Sequence, residues 1–204
     1  MTFWSNDFSA GGEDPKRKYR WKVQFDGLVS DNSSIAWFAK TINKPSFTVT
    51  ESDHTFLNHK FYYPGRVEWQ PVTLVLVDPV TPVNVGAQLA ALAVAAGYEL
   101  PQSADSTAFK TMSKTKAAAS IGTITIEQLN AEAVALETWT LKNPFIKSFK
   151  WGDLDYGSDD LIEMEMEIRY DWAECAFKNP DGSKATAVTA NTGFASGEFF
   201  KPKK

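Results

Sequence analysis

The 204-residue chain predicts a mainly β protein, an antiparallel β-barrel or sandwich with one flanking α-helix and extended loops. Three observations carry that prediction. Ile162, Met164, Met166, Ile168 and Tyr170 alternate with Glu163, Glu165, Glu167 and Arg169, a period of two that a half-buried strand requires and a helix would scatter. Near the start, Tyr19, Trp21, Val23 and Phe25 alternate in the same way with Arg20, Lys22, Gln24 and Asp26. Only Val83 to Tyr98, with Val85, Leu89, Leu92 and Ala96 at three- and four-residue spacings, shows a helical stripe.

Met1 to Pro15 has Phe3, Trp4 and Phe8 among Ser, Asn, Asp and Gly without either period, so it predicts an arm whose aromatics need a partner surface. The first strand follows from Lys18 and ends at Gly27. Ile35 to Ile42 predicts a second strand, which Asn43-Lys44-Pro45 interrupts before the β-branched stretch Phe47 to Thr50, since Pro donates nothing to a ladder. From Thr55 to Trp69, two turn-capable clusters, Leu57-Asn58-His59-Lys60 and Tyr63-Pro64-Gly65-Arg66, lie among aromatics and predict a projecting hairpin or long loop.

Val72 to Val77 is continuously apolar, so it predicts a strand covered on both faces, and the helix (about residues 82–97, capped by Gly97) is the cover the sequence offers. Pro101 to Ala119, rich in Ser, Thr, Ala and Lys, predicts a surface excursion. Strands resume at Ile121 to Gln128 and Trp139 to Trp151, the latter bent near Asn143-Pro144, and an acidic turn from Asp153 to Asp160 leads into the final alternating strand. The predicted organisation is an arm over 1–17, a β domain over 18–175 and a C-terminal extension over 176–204.

A net charge of -4 argues against a protein that grips nucleic acid through excess Lys and Arg. The single Cys175 forms no internal disulfide, and no basic-then-apolar leader opens the sequence, which predicts folding in a reducing cytoplasm. No apolar run reaches the roughly 18 residues a spanning helix needs, so no membrane insertion is expected. His54 and His59 beside Asp53 match no zinc spacing, and the aspartates at 153, 155, 159 and 160 lack the EF-hand order, so exposed loop residues are expected and no cofactor. Without a local base, Cys175 predicts a structural thiol, and no catalytic motif is present, so no enzyme is expected. Seven Trp, six Tyr and 14 Phe exceed the needs of one modest core, which points to self-association.

Taken in order, several segments carry a likeness: Trp21-Lys22-Val23-Gln24-Phe25; Phe38-Ala39-Lys40-Thr41-Ile42-Asn43-Lys44-Pro45; Lys60 to Trp69 with its Pro64-Gly65-Arg66; Val72 to Asp78; and Leu154 to Glu163 running into Met164 to Trp172. Together, over most of residues 18–174, they resemble the tail tube proteins of contractile-tailed bacteriophages, a family similar in fold to the tubes of type VI secretion and other contractile injection systems. Their order and spacing carry the resemblance. It implies a tail-tube-like domain, six copies to a ring, and rings stacked as a hollow conduit for genome delivery in the tail of a virion assembled in the host cytoplasm. The implied partners are further copies of the chain, the sheath, baseplate and tail terminator proteins, a tape-measure protein, and DNA in transit. An injection-system tube carrying protein, and a β-sandwich carbohydrate-binding module, are the alternatives.

Within that picture, three sets of residues are expected to matter. Glu163, Glu165 and Glu167 would face the lumen as carboxylate rings that repel phosphates, or instead form a solvated strand face or salt bridges to Lys or Arg of an adjacent subunit. His59, Tyr62, Tyr63, Arg66 and Trp69 would form the ring-stacking hairpin, or instead belong to an intramolecular loop in which Phe61, Tyr62 or Trp69 completes the core. Phe3, Trp4 and Phe8 would form a subunit-contact arm.

Overall fold

The computed structural model describes residues 15–27, 38–79, 84–98, 111–179 and 181–183. Phe3, Trp4 and Phe8, the excursion up to residue 110 and the extension beyond 183 lie outside the described residues. Among the described residues ten strands run in chain order: β1 (Trp21–Phe25), β2 (Ala39–Ile42), β3 (Phe47–Phe56), β4 (His59–Trp69), β5 (Val72–Val77), β6 (Ile124–Leu129), β7 (Ala135–Lys142), β8 (Phe145–Lys150), β9 (Glu163–Arg169) and β10 (Trp172–Phe177). Two described helices, α1 (Val85–Ala95) and α2 (Lys114–Ile121), stand between β5 and β6.

The strands form two four-stranded antiparallel sheets and a separate ribbon. The first sheet has the order β1-β6-β7-β10, the second β2-β5-β9-β8, and β3 and β4 pair with each other alone. Alternation decides which faces meet. Val23 and Phe25 of β1, Ile124 and Ile126 of β6, and Leu141 of β7 share one buried cluster with Leu74 and Leu76 of β5 and Met164, Met166 and Ile168 of β9. Side chains one residue along each strand point outward, as a period of two dictates.

Residues from α1 complete the core. Val85, Leu89 and Leu92 are buried in the same cluster, while Asn84 caps the helix by accepting from the Ala87 amide at 2.7 Å. Gly97, at φ 98°, ends it in the left-handed region, as the sequence indicated.

Four departures from the sequence reading have local causes. Residues 114–121 are helical, starting at the Ser113 cap, and Ile121, expected to open a strand, closes this helix with its side chain buried. The expected bent strand from Trp139 to Trp151 is two strands in different sheets, β7 and β8, with Asn143 at φ 51° between them. Pro64 and Gly65 sit within β4, not in a turn, beside a register shift between Val49 and Glu51. A closing strand, β10, carries regular structure to Phe177, past the predicted domain limit at 175.

One close approach fixes a crossing of the chain. A Cβ on Gly27 would lie 2.4 Å from the Gly122 amide nitrogen, and Gly122 itself has φ 67°, so neither position accepts a side chain without moving backbone.

Candidate assembly interface

The ribbon β3–β4 is where the chain departs most from a self-sufficient domain. All ten residues of β3 and all of β4 except Trp69 are exposed, and an isolated two-stranded hairpin is marginal in water. Its base is fixed. Trp69 lies edge-on to Phe47 with centroids 5.3 Å apart and tilts against Tyr170 at 5.9 Å, and the Gln70 amide donates to the Ser46 carbonyl at 2.8 Å. Trp69 therefore anchors the hairpin to the core, whereas His59, Tyr62, Tyr63 and Arg66 project with the exposed part. The turn is the pair Leu57-Asn58, with Leu57 at φ 52°.

Register gives the outer half two different faces. Ser52 opposes Tyr63, His54 opposes Phe61 and Phe56 opposes His59, so Phe56, Phe61 and Tyr63 share a face with both imidazoles and no carboxylate. The other face holds Asp53, Thr55, Lys60 and Tyr62, with Lys60 Nζ 3.1 Å from Asp53 and 5.3 Å from the Tyr62 ring centroid. Phe56, Phe61 and Tyr63 thus form an exposed aromatic patch, the kind of surface found at contact sites.

The outward face of β9 differs from the simple acidic stripe its sequence suggests. Each carboxylate meets a lysine of another strand of the sheet: Glu163 pairs with Lys40 of β2, beyond β5, while Glu165 pairs with Lys150 of the adjacent β8 at 2.7 Å and Glu167 with Lys147 of β8 at 2.8 Å. Ser148 also donates to Glu167 at 3.1 Å. The hydrogen bond from Lys147 holds the Glu167 carboxyl below its ordinary range, and the one to Glu165 raises Lys150. Three carboxylates are matched by three ammoniums within one chain, a pairing hidden in sequence because the lysines belong to other strands.

Glu137 was not singled out by sequence reasoning, and among the described carboxylates it is the most perturbed. It points inward from β7 and is 7% exposed. Lys16 pairs with one oxygen, while Lys44 Nζ lies 2.6 Å from the other and Trp139 Nε1 donates to that same oxygen at 3.3 Å. Burial works to raise its pKa, but these hydrogen bonds and the Lys44 charge outweigh it and bring it down to about 2. The cluster ties the segment before β1 and the link that launches the hairpin to the first sheet. The sequence signal for it was faint: Glu137 is an acid in phase with Trp139 and Leu141 on a strand's buried face.

The remaining candidates resolve simply. His54 and His59 sit on the exposed ribbon, and among the described residues no three His, Cys, Asp or Glu side chains are placed to hold a metal ion. The aspartates of the 151–162 loop are exposed, and Asp155 accepts from the Gly157 amide at 2.9 Å. Cys175 is 3% exposed, and burial, with the Glu137 charge, pushes its thiol up to about 12. Among the described residues no helix is long and apolar enough to cross a membrane.

No protein-family model matches the chain, and no curated protein sequence does. Solved structures do. A chain in the cryo-EM structure of the anti-feeding prophage baseplate superposes with a TM-score of 0.55 at 17% identity, over 80% of this chain and 96% of that one. A chain in the sheath/tube terminator structure of an extracellular contractile injection system gives 0.55 at 18%, over 80% and 97%. One in the sheath-tube complex of such a system gives 0.53 at 17%, over 85% and 99%. These likenesses show the fold: β-rich, antiparallel and tail-tube-like, shared with chains of contractile injection assemblies.

Proposed function

We propose that this chain is the repeating subunit of the inner tube of a contractile tail, six copies closing a ring and rings stacking within a sheath. The observation that carries this reading is the β3–β4 hairpin, fixed at its base by Trp69 and exposed with an aromatic face that water does not stabilise. The edges β1, β10, β2 and β8 are suited to completing their ladders against neighbouring copies in a closed ring. Shared fold with chains from baseplate and sheath-tube assemblies supports the same reading, and the six-fold symmetry of one of them supports the ring size. Sheath, cap and baseplate proteins are then the partners.

Negative-stain microscopy of the purified chain tests this. Rings or tubes that grow with concentration are expected. A monomer at every concentration, retained by a polysaccharide column, would replace the tube with a carbohydrate-binding module.

A second reading concerns cargo. The similar solved chains belong to a prophage baseplate and an injection assembly; in an injection system the passage would carry protein, and in a virion DNA and a tape-measure protein. Nucleic acid and protein analysis of intact particles separates the two. The β9 face with Glu163, Glu165 and Glu167 is the proposed lumen surface, charge-balanced by its lysines. Unchanged cargo delivery by E163Q/E165Q/E167Q particles would remove that role.

A further inference from the structure

We propose that the exposed loop 151–162 receives the aromatic face of the β3–β4 hairpin of a second copy, joining copies head to tail. This rests on the tube reading above and names the surface that stacking requires.

Register sets the two elements at opposite ends of one sheet. β4 runs through Gln70 and Pro71 directly into β5, so the hairpin leaves beyond the row Val72, Ile168 and Ile146. The loop departs at Lys150 and returns at Glu163, beyond the paired residues Val77 and Glu163. The six residues of β5 lie between them, roughly 20 Å at about 3.3 Å per residue. A contact between unlike surfaces at opposite ends repeats along an axis, whereas a two-fold contact closes on itself.

The surfaces also match in chemistry. Within the loop, Leu154 is 85% exposed and Tyr156 fully so, with Leu161 and Trp151 mostly exposed beside them. They border an open groove of about 1480 Å³ whose other wall includes Lys150, Glu163 and Glu165. Four aspartates and no cation lie between residues 151 and 162. The hairpin's aromatic face brings Phe56, Phe61 and Tyr63 to cover the apolar side chains, and the imidazoles of His54 and His59 to donate to the aspartates. No carboxylate on that face is buried against them.

Cysteine pairing tests this in the full-length chain, with the buried Cys175 replaced by alanine. The variant Leu57→Cys/Tyr156→Cys, assembled and then oxidised, is expected to give a ladder of interchain disulfide multimers on a non-reducing gel, which neither single-cysteine variant gives. Tubes visible by microscopy without a ladder would overturn the loop as receiver and leave the tube reading standing. A wild-type chain that forms neither rings nor tubes would overturn that reading and this inference with it. As a second measurement, Leu154→Ser/Tyr156→Ser, checked for native circular dichroism, is expected to form single rings with stacks reduced at least about tenfold, the effect of losing roughly 1.4 kcal/mol per contact. Stacks of unchanged length would refute the proposal.

Discussion

Replacing Glu137 by Gln keeps the shape of the side chain and its ability to accept from Trp139, while removing the charge that Lys16 and Lys44 share. The fall from an ordinary 4.5 to about 2 corresponds to about 3 kcal/mol at roughly 1.4 kcal/mol per pH unit. Both lysines are nearly half exposed, at 49% and 44%, so screening lowers the expected loss to about 2 kcal/mol. The sign follows from linkage. A carboxyl whose pKa is depressed by folding stabilises fully above its unfolded value near 4.5, and that stability drains away as pH falls towards about 2. Urea unfolding of the dilute chain, followed by Trp fluorescence, should show E137Q weaker by about 2 kcal/mol at pH 7, with the gap to wild type closing between about pH 4.5 and pH 2. A gap below about 0.5 kcal/mol, or one equal at pH 7 and pH 2, would refute the reasoning.

Further outcomes follow from packing. Gly27→Ala and Gly122→Ala should each cost on the order of 2 kcal/mol or more in urea unfolding, because the added Cβ meets backbone at 2.4 Å. Leu89→Ala should cost about 3 kcal/mol by leaving a cavity between α1 and the sheets, seen as a lowered midpoint with unchanged slope. Cys175, with its thiol pushed up to about 12, should react with a disulfide reagent at pH 8 only once denaturant opens the core; rapid reaction of the folded chain would contradict its burial.

Where one residue's neighbours on its own strand decide its environment, sequence was a sufficient guide. The alternation from Ile162 to Tyr170 placed Met164, Met166 and Ile168 in the core, and the helix stripe placed Val85, Leu89 and Leu92 there. Ile162 is the exception, at 41% exposed, because it lies before the strand pairs with β5. Partners distant in sequence were less legible. α2 was hidden because KTKAAASI has little apolar stripe and buries only Ala117 and Ile121; the Ser113 cap and the Gly122 stop were its available signals. Pro64-Gly65 looked like a turn, yet pairing with Glu51 and the hydrogen bonds of Thr50 with Arg66 keep it in β4. Glu137 draws its character from Lys16 and Lys44, 121 and 93 positions away.

The one-for-one matching of β9 glutamates with flanking lysines also shapes what that face presents to its surroundings. Glu165 and Glu167 lie only 2.7 and 2.8 Å from their ammoniums, so each pair's field decays as that of a small dipole. At a Debye length, about 8 Å in physiological salt, little net potential remains. A macromolecule moving over this face would feel neither repulsion nor attraction on account of its own charge, and a polyanion and a cationic polypeptide would glide across it with equal ease.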